Sequence, residues 1–272
     1  MVLLIKDLTI GQFYPAKSLL HRLDPRFKII ILILLLVFIF IADNFLSLAL
    51  TVAFVLTVLL LSRVPLSMYL KNLKIILPIL IFTMLLNLFY ITDGTVLFEY
   101  WIIKITTGGI SRSIFMSARV VLLIIISASL TYTTTPNDLT TAIEKLLSPL
   151  KFIGLGSAVH TMSMMMTIAL RFIPTLVEET EKIINAQKAR GADFESGKLM
   201  QRIKAIIPIL IPLLISSVRR AYDLAEAMES RCYNGGKNKT SMKQLHIKAG
   251  DIISLCVSLL FCASVIVLNL FF

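Results

Sequence analysis

The chain has 272 residues, of which 57% are hydrophobic and only 16% are charged. That composition, with a mean hydropathy of +0.87, excludes an ordinary soluble globular domain and predicts an integral membrane protein. The net charge of +11 then indicates basic loops on one side of a bilayer rather than a nucleic-acid-binding surface, so no nucleic-acid partner is expected.

Five apolar stretches predict membrane-spanning helices. In chain order they are residues 27–42, 45–61, 75–91, 110–132 and 252–272. About 20 apolar residues cross a bilayer, so the first stretch is short for a span. The predicted fold class is all-α, a polytopic membrane protein with about five transmembrane helices and further helices on the cytoplasmic side. The N-terminal residues lack a basic segment followed by a long apolar one, so we expect no cleavable signal peptide.

The distribution of Lys and Arg predicts the orientation. With the N-terminus in the cytoplasm, residues 1–28, 62–74 and 133–249 lie inside and carry 24 of the 27 basic side chains. Cytoplasmic loops are enriched in such residues. We therefore predict a multi-pass protein of the cell membrane with the N-terminus inside and the C-terminus outside.

The residues between the fourth and fifth spans form a long basic insert. The predicted regions are a four-span region at 1–132, a cytoplasmic helical region at 133–249 and a last transmembrane helix at 250–272. The insert holds two apolar runs of 14 residues, at 157–170 and 205–218. Each would reach only about 21 Å as a helix, so we interpret both as cytoplasmic-side helices that do not cross the bilayer.

Two tripeptides with a central arginine close two charged helical stretches of this insert. They are Ala189-Arg190-Gly191 and Ser230-Arg231-Cys232. A cation in the last turn favours any helix, which would explain either arginine alone. The repetition favours a docking role, because arginine makes bidentate contacts with carboxylates. Cysteine accepts a positive φ less readily than glycine, so the second backbone turn is the less certain one.

A methionine-rich stripe lies in the first apolar run of the insert. Met162, Met165, Met166 and Ala169 share one helical face. Such a stripe is often core packing, but methionine also makes adaptable surfaces for changing partners. Both interpretations stay open.

Two arginines of the fourth span are a weaker indication of function. Arg112 and Arg119 share a face of the fourth span, and we interpret them as structural, snorkelling or paired with a polar group such as Asn87.

No catalytic constellation, metal-ligand spacing or nucleotide-binding loop is recognisable, so no catalytic residue, metal or cofactor is predicted.

Several motifs together resemble the transmembrane coupling (T) component of energy-coupling factor transporters. The resemblance runs over nearly the whole chain and rests on Gly11-Gln12-Phe13-Tyr14-Pro15, Leu20-His21-Arg22-Leu23-Asp24-Pro25-Arg26, Glu144-Lys145-Leu146-Leu147-Ser148-Pro149-Leu150, Arg171-Phe172-Ile173-Pro174, Gln187-Lys188-Ala189-Arg190-Gly191-Ala192-Asp193-Phe194 and Ala227-Met228-Glu229-Ser230-Arg231.

The resemblance implies a non-catalytic subunit that ties two ABC-type ATPases to a substrate-binding S component within the lipid bilayer, for uptake of vitamins or other micronutrients. It implies that the arginines of two Ala-Arg-Gly-like motifs, here Arg190 and Arg231, dock into the ATPases. It also implies that S components dock on the coupling helices, where the methionine face lies. The second motif departs from the family pattern at Ser230 and Cys232.

Two other function classes are the alternatives. A self-contained secondary transporter or channel would carry its substrate path within this chain, but no paired half-transporter pattern is visible. An intramembrane enzyme would need a catalytic constellation. Solute flux through the reconstituted chain alone separates the first alternative from a coupling subunit, which is inert by itself.

Overall fold

Contacts divide the chain into two compact units. The computed structural model describes residues 13–90, 95–100, 103–192, 194, 199–234 and 245–271. One unit, here called the bundle unit, takes in Phe13–Thr135 and Leu245–Phe272. The other, the insert unit, takes in Pro136–Gln244.

The bundle unit is built from helices and one short hairpin. Its elements are α1 (Leu19–Arg22), α2 (Pro25–Ile41), α3 (Phe45–Ser62), α4 (Leu66–Tyr90), β1 (Val96–Tyr100), β2 (Ile103–Thr106), α5 (Thr107–Thr133) and, after the insert, α9 (Ala249–Phe271). The two strands pair antiparallel. The all-α class is confirmed, and the hairpin is an addition that the sequence analysis did not predict.

The regular elements of the insert unit are all helices in its described residues. It contains α6 (Pro136–Leu146), a 3₁₀ helix (Ser148–Ile153), α7 (Gly156–Ala189) and α8 (Leu199–Glu229). With 34 and 31 residues, α7 and α8 are far longer than the 14-residue apolar runs within them. The charged residues that flank the runs continue the helices, since pairs such as Glu178 and Lys182 stand one turn apart on a helix face.

Five helices are long and apolar enough to cross a membrane. They are Phe45–Ser62, Leu66–Tyr90, Thr107–Thr133, Lys204–Glu229 and Ala249–Phe271. The predicted number of five such helices is confirmed. However, one predicted helix is missing from this set, and one helix that was not predicted to span is in it. The 17-residue α2 is not among these five helices, whereas part of α8 is. The prediction that the second run is too short to span is therefore wrong, and its cytoplasmic placement now rests on charge alone.

Four long helices share the core of the bundle unit. Side chains from α2, α3, α5 and α9 meet in one buried cluster that includes Leu35, Ile39, Val55, Ile126 and Val265. Phe54 of α3 stacks on Phe261 of α9, with ring centroids 4.3 Å apart. The C-terminal helix is thus part of the same core as the N-terminal ones.

Asp251 joins the starts of α2 and α9. Its fully buried carboxylate accepts the backbone N–H of Asp24 and that of Lys248, each at 2.7 Å. Asp24 in turn caps α2 by accepting the N–H of Arg26 at 2.9 Å, and the Arg26 guanidinium donates to the Leu245 carbonyl at 2.9 Å. The Leu23-Asp24-Pro25-Arg26 stretch is therefore a structural joint, because these hydrogen bonds connect the starts of α2 and α9.

Lys28 closes the same end of the bundle unit against α5. Its Nζ donates to the carbonyl of Thr133 at 2.9 Å and to Oγ1 of Thr134 at 3.3 Å. The last carbonyls of a helix lack intrahelical partners, so a buried ammonium group there satisfies one of them and complements the helix dipole.

Arg119 binds the C-terminus of α2 rather than a polar side chain of α4. Its Nη2 donates to the carbonyl of Ala42 at 2.6 Å and to Oδ1 of Asp43 at 3.2 Å. Asn87, suggested above as a partner, instead donates to the carbonyl of Thr83 at 3.0 Å. The buried intramembrane arginine thus has a structural role, because it satisfies a carbonyl at the end of a helix.

Candidate functional site

Arg190 is the C-cap residue of α7 in a tight terminal turn. The N–H of Ala192 donates to the carbonyl of Gln187 and that of Gly191 to the carbonyl of Lys188, both at 3.0 Å. Gly191 has a φ of 85°. This pair of bonds followed by a left-handed residue defines a Schellman turn, in which the chain leaves the helix axis directly after the arginine.

Arg231 closes α8 in the same way. The N–H of Tyr233 donates to the carbonyl of Met228 at 3.0 Å, and that of Cys232 to the carbonyl of Glu229 at 2.9 Å. Cys232 adopts a φ of 57°, in the left-handed region that favours glycine. The substitution of glycine by cysteine therefore does not change the turn, and both arginines occupy the C-cap position of matching helix ends.

Both arginine side chains are exposed. Neither forms a hydrogen bond or an ion pair with any residue that the structure describes. The same turns leave Ala189, Gly191, Ser230 and Cys232 exposed around them. An exposed guanidinium at a helix C-terminus is stabilised by the dipole and keeps its five N–H donors available to another molecule.

Contacts between α7 and α8 show that the two helices run antiparallel. Glu179 of α7 accepts a hydrogen bond from Ser216 and forms an ion pair with Arg220, with 3.0 Å between Oε2 and Nη2. Ile184, further along α7, shares a buried cluster with Ile209, which precedes Ser216 in α8. Later residues of one helix thus face earlier residues of the other.

This antiparallel arrangement directs the two arginines away from each other. At roughly 1.5 Å per residue, Arg190 lies about 16 Å beyond Glu179 along α7, and Arg231 lies about 22 Å beyond Ser216 along α8. The two directions are opposite, because the helices are antiparallel. The guanidinium groups therefore belong to two separate sites on the insert unit rather than to one.

The methionine stripe lies on an exposed face of α7. Met162, Met165 and Met166 are 67%, 60% and 47% exposed, and Ala169 is exposed beside them. Ser163, which borders this face on the same helix, is buried. The described residues of the chain do not cover these methionines, so they form an adaptable apolar surface.

A polar cluster ties α6 to the buried side of α7. Glu144 accepts hydrogen bonds from Ser163 at 2.7 Å and from Nδ1 of His160 at 3.0 Å. Burial tends to raise the pKa of Glu144, but the bonds from His160 and Ser163 outweigh it and hold that pKa below its usual value. The stability from this contact is present above the ordinary carboxyl pKa and is lost as the pH falls through the lowered value.

Sequence reasoning missed the pairing of Glu179 with Ser216 and Arg220. A carboxylate and a guanidinium near the ends of two apolar runs were a usable signal, but their pairing depends on how α7 packs on α8. Among the described residues, no group of three or more His, Cys, Asp or Glu side chains could hold a metal ion.

Comparison with known proteins identifies the family. A family model described as cobalt transport protein (CbiQ) matches residues 16–242. A protein of Ruminiclostridium cellulolyticum named energy-coupling factor transporter transmembrane protein EcfT is 48% identical over 269 residues, which cover 99% of this chain and all of that protein. The protein of that name from Bacillus subtilis is 44% identical over 263 residues, or 97% of this chain and 98% of its own.

These matches extend over the bundle unit and the insert unit alike. A third relative of that name, from Clostridium kluyveri, is 48% identical over 266 residues and 97% of both chains. Together with five helices that are long and apolar enough to cross a membrane, they show a multi-pass membrane protein. The chain therefore belongs to the EcfT family, the transmembrane proteins of energy-coupling factor transporters.

Proposed function

We propose that this chain is the non-catalytic scaffold that links two ABC-type ATPase subunits to a substrate-binding S component for uptake of vitamins or other micronutrients. The observation that carries the proposal is the pair of matching helix ends, each presenting an exposed C-cap arginine, at Arg190 and Arg231. ATP is hydrolysed by the partner subunits, and this chain transmits their movement.

Two separate arginine sites support two ATPase subunits. Two subunits of one type present two similar binding grooves, so the scaffold needs a similar local shape twice. The turns at Gly191 and Cys232 supply that shape, and the antiparallel helices place them in opposite directions. In each groove the guanidinium would contact a carboxylate in bidentate geometry.

The exposed methionine face supports docking of the S component. Met162, Met165, Met166 and Ala169 present apolar surface with flexible, polarizable side chains. Such a surface repacks against different partners, which suits exchange between S components of different substrate specificity. The transport movement is a rigid-body one, in which closing of the ATPases displaces the ends of α7 and α8 and thereby the methionine face.

The insert unit faces the cytoplasm in this proposal, with the N-terminus of the chain inside and the C-terminus outside. Its support is the distribution of basic residues, since 16 of the 27 Lys and Arg lie between residues 133 and 249. A self-contained channel receives no support from Arg119, because that side chain is engaged by Ala42 and Asp43.

Alanine and lysine substitutions at the two arginines test the proposal. Truncating a desolvated arginine in a carboxylate contact costs roughly 2 to 5 kcal/mol. One intact site still tethers the complex, so Arg190→Ala or Arg231→Ala alone should lower ATP-driven uptake more than ATPase co-purification. The double alanine variant should lose both, and Arg→Lys should rescue only partly.

Arg219→Ala is a matched control, because Arg219 is an exposed arginine of α8 away from both turns. All variants are checked for membrane insertion. A double alanine variant that inserts normally and retains stoichiometric ATPases with full uptake would show that these arginines are only helix-end charges.

A further inference from the structure

The bundle unit contains an apolar cleft between its helices. It measures about 570 Å³ and is lined by side chains of α2, α3, α5 and α9, including Leu32, Phe54 and Val58. Leu61 and Ile253 of the lining are 43% and 62% exposed, so the cleft opens at the surface of the unit. Its volume is within the range of roughly 300 to 1,000 Å³ that is typical of ligand sites.

Cationic side chains line one end of this cleft. Arg22, Lys28 and Lys248 all lie where α2 and α9 begin. The carboxylate of Asp251 is the one acidic group among the described lining residues, and backbone N–H groups occupy both of its oxygens. Arg22 and Lys248 form no ion pair with a described residue. The three cations outnumber the one carboxylate, so this end of the cleft carries a net positive charge.

We propose that the cleft binds a phospholipid with an anionic head group. Its head-group phosphate contacts Arg22 and Lys248, and an acyl chain extends along Val58 and Val257. The basis is the arrangement of side chains in the cleft, because cations lie at one end and apolar side chains line the rest. A partner helix would not need charge confined to one end. On the predicted orientation this end meets the cytoplasmic leaflet, where basic pockets between spans bind anionic head groups.

Binding of phosphatidylglycerol and phosphatidylcholine to the purified, intact transporter is measured by native mass spectrometry. The test variant is Arg22→Gln/Lys248→Gln. The control Lys17→Gln/Lys71→Gln removes the same charge from exposed positions outside the cleft. Each cation near a head group contributes about fivefold, so the test variant should bind phosphatidylglycerol about tenfold or more weakly. Phosphatidylcholine should lose less, because its choline cation already offsets the charge of its phosphate. The control should bind both lipids as the unmodified protein does.

Two further measurements identify the molecule that occupies the cleft. Val257→Trp fills the apolar part of the cleft and should weaken binding of both lipids while leaving Arg22 and Lys248 in place. Inorganic phosphate at equal concentration should not displace phosphatidylglycerol. Three results overturn the proposal: equal binding of both lipids by the unmodified transporter, equal losses in the test variant and its control, or displacement by phosphate alone. Intact transporter without any bound lipid overturns it too.

Discussion

Glu179 of α7 and Arg220 of α8 form an ion pair where the two longest helices of the insert unit meet, with 3.0 Å between Oε2 and Nη2. Ser216 donates a hydrogen bond to the same carboxylate. One side chain of α7 therefore engages two turns of α8, and this contact fixes the axial position of one helix against the other. The positions of Arg190 and Arg231 depend on that alignment.

Substitution of this pair should affect transport more than stability. Arg220 is 39% exposed, so the ion pair contributes no more than about 1 kcal/mol. We expect a Glu179→Gln and Arg220→Gln double-mutant cycle on thermal unfolding of the purified complex to show a coupling free energy of that size. Uptake should fall severalfold while both ATPases still co-purify, because the arginine turns are intact but misaligned.

Glu178→Gln is the control for this cycle, since Glu178 is the exposed neighbour of Glu179 on α7. It removes the same charge without touching α8. Equal uptake losses in Glu178→Gln and Glu179→Gln would show that the charge matters and the pairing does not.

The left-handed turn at Cys232 should be a source of strain that glycine relieves. A non-glycine residue with a φ near 57° costs about 1 to 2 kcal/mol. Cys232→Gly should therefore slow hydrogen exchange of the amides at the end of α8, whereas Gly191→Ala should speed exchange at the end of α7. A Cβ at Gly191 meets no atom within 4 Å, so its cost is that of the backbone conformation alone.

Cys232→Ala separates backbone strain from loss of the thiol. It removes the sulfur but keeps a Cβ at the left-handed position, so exchange at the end of α8 should stay as in the unmodified protein. If Cys232→Ala protects these amides as strongly as Cys232→Gly does, the thiol and not the φ angle is responsible.

Charge on the methionine face should release the S component. Replacing Met162, Met165 and Met166 by Lys places three ammonium groups on a surface that is otherwise apolar, and a dry interface cannot desolvate them. The triple variant should lose the S component on co-purification and keep both ATPases. Met200→Lys, at another exposed methionine of the insert unit, should keep both partners.

The outcome that contradicts this role is a triple variant with a normal ratio of S component to ATPases. The measurement is quantitative mass spectrometry of the complex purified through a tag on the ATPase. Normal insertion of the variant in the membrane is required for the comparison.

The segment between the two apolar runs should lie in the cytoplasm. Residues 171–204 carry seven Lys and Arg, which oppose translocation even though α8 is long enough to span. Single cysteines at the exposed positions 178, 182 and 188, in a background with the native cysteines replaced by alanine, should react with an impermeant maleimide only after the cells are permeabilised. Labelling of intact cells from outside would overturn the predicted topology.

Local sequence patterns were sufficient for several parts of the structure. Continuous apolar stretches predicted α3, α4, α5 and α9, because a bilayer sets their length and leaves few alternatives. Repetition of a short motif indicated two equivalent arginine positions, and the structure places Arg190 and Arg231 in equivalent turns. Whether these turns bind ATPases stays a prediction.

Other features depend on contacts that no local pattern contains. The extent of α8 was underestimated, because charged flanks end an apolar run without ending a helix. Arg119 was given the wrong partner, since the carbonyl it binds is at the end of α2 and far away in sequence. Cys232 takes a left-handed conformation against its own preference, because a matching set of helix-end hydrogen bonds compensates.

The two Schellman turns also have a mechanical consequence. Each turns the chain immediately after its arginine, so no flexible stretch of backbone separates the guanidinium from the last helical hydrogen bonds. A load applied at Arg190 is borne by α7 itself, a rod of 34 residues or about 51 Å at 1.5 Å per residue. Such a helix bends most easily where its backbone hydrogen bonds are interrupted. These places are Pro174 in α7 and Pro208 and Pro212 in α8.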